Sequence, residues 1–140
     1  MDLITSKVSK LIKKHQTNCP FKIAKNLGIV VLHEELGNFL GYYNKTFRIP
    51  FIHINEKADD KLQSFICAHE LGHALLHPDA NTPFLTKHTF FSTESYEKEA
   101  NLFAVKLLFS EDYLLDTILI SEAIQEFGVP RNVIMSFIKL

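Results

Sequence analysis

The chain has 140 residues, 46% of them hydrophobic and 22% charged, a balance that fits one globular domain with a real core and excludes a disordered segment. A net charge of −1 and two cysteines, Cys19 and Cys67, give no support to a bulk nucleic-acid binder or to a disulfide framework. No N-terminal apolar segment or long apolar run directs export or membrane insertion, so a cytoplasmic single domain over residues 1–140 is expected.

Leu3, Ile4, Val8, Leu11 and Ile12 recur at helical spacing and predict an amphipathic opening helix with lysines outside. The basic run Lys7, Lys10, Lys13, Lys14, Lys22 and Lys25, and the acidic residues from Glu94 to Glu126, read as ordinary solvated faces. Pro20 suits the first position of a short second helix that Gly28 closes. Residues 29–32 are β-branched and apolar, and predict a strand. Two more strands follow, about 39–43 and 47–54, joined by a turn near Asn44-Lys45 and therefore antiparallel. In the second of these, Ile52 and Ile54 point one way and Phe51 and His53 the other.

From about Asp59 to His77 the pattern is helical, and Pro78 stops it. Residues 79–91 form a loop, though Phe84, Leu85, Phe90 and Phe91 make it unusually apolar. Ser92 or Thr93 can cap the next helix, which runs to about Phe109 with Glu94 in its first turn. Ser110 opens a short helical stretch, Gly128 ends another helix, and Pro130 starts the last one. The sum is one α+β domain: a small three-stranded sheet with an antiparallel hairpin, packed against helices.

The stretch His69-Glu70-Leu71-Gly72-His73 carries the chemistry. A helix advances about 100° per residue, so His69 and His73 share a face one turn apart. Both imidazoles can then hold one metal ion, with Glu70 beside them as a general base for water. Gly72 costs its helix about 1 kcal/mol relative to alanine, which a close approach of a neighbouring backbone would justify.

A catalytic zinc site uses three protein ligands and keeps one position open. His69, His73 and His77 span roughly 12 Å of helix axis, too far for one ion to bind all three, so His77 belongs to the helix end or to the surroundings of the site. Cys67 points to another face and reads as core. On the following helix Glu97 shares a line with Ala100, Asn101, Ala104 and Leu108, while Glu99 lies with Leu102, Phe103 and Lys106. A carboxylate on an inward line needs a partner, so Glu97 is the favoured third ligand and Glu99 the alternative. Asn101, one turn below Glu97, could accept the free ring N–H of a ligating histidine. Tyr96, His88 and Tyr113 are possible oxyanion donors, none preferred, and an exposed hairpin strand could take up substrate by strand addition.

His69-Glu70-Leu71-Gly72-His73-Ala74-Leu75-Leu76-His77 followed by Glu97-x-Glu99-Ala100-Asn101-x-Phe103-Ala104-x-x-Leu107-Leu108 resembles the ImmA/IrrE family of metallopeptidases in both hallmarks and their order. Softer likenesses run from Ile23-Ala24 to Gly28-Ile29, at Gly41-Tyr42, from Ile52 to Asn55 and at Gly128-Val129. Phe109-Ser110 departs from the family, which often has proline after the leucine pair. The resemblance implies a compact gluzincin-like fold with zinc (Zn2+) on His69, His73 and Glu97, and Glu70 as general base. It also implies hydrolysis of a helix-turn-helix repressor of a phage or mobile element, which relieves repression. Because the chain ends at Leu140, the likeness is to the short, mobile-element type rather than to longer members with a sensor-like domain.

Two other classes compete. A regulatory module could hold a structural zinc and sequester the repressor uncut, but Glu70 is retained and only three ligands are evident. A helical DNA-binding regulator fits poorly with the acidic C-terminal half, so no direct nucleic-acid or membrane partner is expected.

Overall fold

Apolar residues at helical spacing and short β-branched runs sort the chain into helices on one side of a small sheet. The structure, a computed structural model, describes residues 3–79, 85–86 and 94–109. In chain order the elements are α1 (Leu3–His15), α2 (Pro20–Asn26), β1 (Val30–Glu34), β2 (Gly41–Thr46), β3 (Ile49–Asn55), α3 (Asp60–Leu76) and α4 (Ser95–Leu108). The fold is α+β with a three-stranded sheet, as the sequence predicts. The helices expected after Ser110 lie outside the described residues, and so do Phe84, Phe90 and Phe91. Among the described residues no helix is long and apolar enough to cross a membrane.

Strand order is β1-β3-β2, with β1 parallel to β3 and β2 antiparallel to it. The hairpin is antiparallel as expected, but its turn lies further on than Asn44-Lys45. Thr46 pairs with Ile49, and the two residues between them, Phe47 and Arg48, have φ of 51° and 68°. A two-residue turn with both φ positive matches the right-handed twist of the strands, whichever side chains occupy it. Asn44 stays in the strand, its Oδ1 2.7 Å from Nε2 of His53. His53 Nδ1 lies 2.5 Å from Glu34 Oε1 and Tyr42 stacks on the ring at 4.0 Å, so one side chain ties all three strands on the outer face. Ile52 and Ile54, on the other face, are fully buried.

The inner face packs on α3. Asp59 accepts a hydrogen bond from the Leu62 amide at 2.8 Å and caps that helix. Its other end is closed by His77, whose N–H reaches the His73 carbonyl, with Pro78 next. Phe65, Ile66 and Leu71 enter the core with no exposed surface. Leu85, from the expected loop, is also fully buried. Its amide and carbonyl pair with Gly41 and Leu40, so an edge contact open to substrate at the start of β2 is already taken.

Further along the chain, α4 begins later than a Ser92 or Thr93 cap would require. Glu94 occupies the cap position and makes no side-chain capping bond; Ser92 and Thr93 lie outside the described residues. At the other end, Asn18 Nδ2 donates toward the carbonyls of Leu107 and Leu108 at 3.3 and 3.4 Å. α4 lies along α3, where a Cβ on Gly72 would come within 3.1–3.2 Å of the Phe103 side chain. The glycine thus admits a neighbouring side chain, not the backbone expected.

Gly41 is tighter still: an added Cβ would sit 2.6 Å from both the His53 carbonyl oxygen and Ile66 Cγ2. Gly41→Ala is expected to cost about 1–3 kcal/mol through overpacking, read as a lowered urea midpoint. An unchanged midpoint would contradict this account of how the sheet seats on α3.

Candidate metal centre

His69 and His73 project from one face of α3, one turn apart, because an i, i+4 pair on a helix must. Glu97 projects from the first turn of α4, opposite them across the seam that Gly72 and Phe103 draw together. All three side chains are buried. Their ligand atoms lie within 4.8 Å of one another, close enough to hold one metal ion. Glu97 Oε1 is 2.5 Å from His73 Nε2 and 3.4 Å from His69 Nε2.

The far sides of the rings are also held. His69 Nδ1 is 2.8 Å from Asn101 Oδ1, which suits an amide oxygen accepting a ring N–H and leaves Nε2 facing Glu97. His73 Nδ1 is 3.1 Å from His77 Nδ1. Glu99, the alternative third ligand, does not join the cluster. It sits half-exposed, with Oε1 2.9 Å from His77 Nε2. Tyr96 has its ring 6.2 Å from those of His73 and His77, whereas His88 and Tyr113 lie outside the described residues. Cys67 is buried away from solvent, which pushes its thiol well up and keeps it protonated.

Whether the cluster suits a metal can be judged from its unmet polar atoms. His69 Nε2, Glu97 Oε2 and both oxygens of Glu70 are buried without a hydrogen-bond partner. Leaving such atoms unpaired costs free energy, and a cation would take up the lone pairs of His69 Nε2 and the Glu97 carboxylate. Two imidazoles and a carboxylate are donors that suit zinc and similar transition metals. The residues therefore fit a bound metal ion.

Burial and neighbours divide the two carboxylates. Burial raises Glu97, but the His69 and His73 rings set against its carboxylate outweigh it and hold the carboxyl down at about 2. Burial pushes Glu70 up to about 7, with His69 opposing and the Glu97 charge adding to the rise. His73 is lowered by burial; His69 is lowered by burial too, yet the neighbouring Glu97 and Glu70 carboxylates raise it on balance.

The sign of the Glu70 effect makes a prediction for the metal-free protein. Below the unfolded pKa of 4.5 both states are protonated and nothing is lost; between 4.5 and about 7 the unfolded chain is ionised while the folded Glu70 keeps its proton, so stability falls across that range and levels off above it. In the presence of a chelator, Glu70→Gln should therefore gain stability over the parent with rising pH, by about 3 kcal/mol above neutrality. Urea unfolding at pH 5 and pH 8 checks it; an equal difference at both pH values would contradict the placement of Glu70.

The chain is similar to known proteins over most of its length. The family described as the IrrE N-terminal-like domain, peptidase M78, matches residues 24–137. The chain is 46% identical over 110 residues to a protein of Bacillus phage phi105 named uncharacterized immunity region protein 2, covering 76% of this chain and 68% of that one. It is 35% identical over 113 residues to metallopeptidase ImmA of Bacillus subtilis (strain 168), covering 79% and 66%. The chain thus spans about two thirds of the length of these curated relatives. The family match over residues 24–137 and these two relatives place the chain in the ImmA/IrrE family of metallopeptidases, the IrrE N-terminal-like group.

Proposed function

We propose that the chain is a zinc-dependent endopeptidase that cleaves a helix-turn-helix repressor of a phage or mobile element and so relieves repression. The observation that carries this reading is the buried His69, His73 and Glu97 set with a buried, partnerless carboxylate, Glu70, adjoining it. A purely structural site has no need of that extra carboxylate, and a fourth ligand from the chain would close the open position a peptidase uses.

In this gluzincin-like arrangement His69 and His73 would hold zinc through Nε2, and Glu97 through its carboxylate. When bound, the metal supplies Lewis-acid polarisation of the scissile carbonyl and lowers the pKa of water. Glu70 accepts a proton from the attacking water as its oxygen bonds to the carbonyl carbon, then delivers that proton to the departing amide nitrogen as the C–N bond breaks. The second proton of the water also ends on the amine, so the products are a carboxylate and an ammonium group, and Glu70 returns to its starting state. Asn101 keeps the His69 ring oriented through Nδ1.

The substrate class comes from family likeness, supported by a phage immunity-region protein among the relatives and by one named metallopeptidase ImmA. A cytoplasmic location goes with such a substrate. Glu70→Gln separates cleavage from mere binding, since the variant keeps all three metal-holding side chains. It should bind zinc with about the parent's affinity while repressor cleavage falls by at least about 100-fold, the scale of a lost general base. Gel analysis of a co-purified repressor reads this out. Full relief of repression by the uncut complex would instead show sequestration and end the peptidase reading.

A further inference from the structure

α4 reaches the two imidazoles of α3 a second time, on the ring nitrogens that face away from Glu97. At His69 the contact is direct, from Asn101 Oδ1 to Nδ1 at 2.8 Å. At His73 it passes through another ring: His73 Nδ1 and His77 Nδ1 are 3.1 Å apart, and His77 Nε2 is 2.9 Å from Glu99 Oε1. We propose that Glu99 and His77 form a positioning relay that holds His73 in its Nδ1–H tautomer and so leaves Nε2 unprotonated for the metal. The proposal rests on His73 being a metal ligand.

The direction of the relay follows from donor and acceptor inventories. Two ring nitrogens in contact form a hydrogen bond only if one carries a proton and the other a lone pair. A carboxylate accepts, so the proton of a neutral His77 sits on Nε2, facing Glu99. His77 Nδ1 then offers its lone pair, His73 Nδ1 donates to it, and the lone pair of His73 is left on Nε2. That nitrogen is the one beside Glu97, at 2.5 Å. A ligating histidine whose second nitrogen is held by a carboxylate, directly or through a partner, is both oriented and made more basic.

Among the described residues nothing else calls for this pair. The His77 backbone N–H, not its side chain, closes α3, and a half-exposed histidine–carboxylate contact adds little stability of its own. The two α4 contacts also act alike: Asn101 sets the tautomer of one ligand, and Glu99, two residues earlier, sets that of the other through His77.

The test compares the parent with Glu99→Leu and Glu99→Gln. Zinc affinity is measured by competition with a chromophoric chelator, and the protonated nitrogen of His77 by two-bond proton–nitrogen NMR correlation, with and without zinc. Glu99→Leu should weaken zinc binding by about ten-fold or more and move the His77 proton away from Nε2, with thermal unfolding of the metal-free protein unchanged. Glu99→Gln, whose amide oxygen still accepts from Nε2–H, should stay near the parent in both readouts. The relay is overturned if the parent carries the His77 proton on Nδ1, or if Glu99→Leu changes neither affinity nor tautomer. A parent chain that takes up no zinc overturns the ligand reading beneath it, a result distinct from equal, tight zinc binding by all three proteins.

Discussion

A carboxylate carried into a protein interior must meet a positive partner or a cation, and α4 carries Glu97 into the seam with α3 beside two imidazoles. With Glu97 Oε1 2.5 Å from His73 Nε2, much of the surrounding architecture serves to make that approach possible. Gly72 lets Phe103 sit where a Cβ would crowd it, and Ala100 and Ala104 keep the inward line of α4 small and buried. Asn18, from the α1–α2 connection, satisfies carbonyls at the far end of α4 and so ties that helix to the N-terminal layer. The sheet contributes by bedding α3 through Ile52, Ile54 and the bare backbone at Gly41.

The site is therefore two half-sites facing each other. In the proposed reading, α3 would supply the nitrogen donors and the general-base carboxylate, and α4 the third donor and the groups that orient the rings. Charge is arranged to match. Glu97 is held ionised by its histidine partners, while burial favours the neutral form of Glu70, so two carboxylates in one cluster are kept in different states. Metal-free, this arrangement stores an electrostatic cost that a bound cation relieves, which couples metal binding to stability.

Much of this was legible in the chain because the signals are local. α3 runs within the predicted span since Asp59 caps it, Pro78 follows it and apolar residues repeat at helical spacing. Glu97 is buried on one line with Ala100, Asn101 and Ala104, whereas Glu99 lies half-exposed. The hairpin turn was misplaced because Phe47-Arg48 carries no glycine or asparagine to advertise positive φ, whereas Asn44 looks like a turn residue yet serves as a cross-strand acceptor for His53. The parallel β1–β3 pairing and the His77–Glu99 contact join residues far apart in sequence, and no local pattern announces either. The start of α4 was placed too early because residues that could cap it precede a helix that begins without a side-chain cap.

The central claim is that two histidines of one helix and a glutamate of the next hold a single metal ion. X-ray absorption at the zinc edge of the stoichiometrically loaded protein tests it most directly. The account predicts one zinc per chain, two imidazole nitrogens at about 2.0–2.1 Å, a carboxylate oxygen at a similar distance and no sulfur. A sulfur scatterer near about 2.3 Å, a third imidazole, or the same spectrum from Glu97→Ala would contradict it.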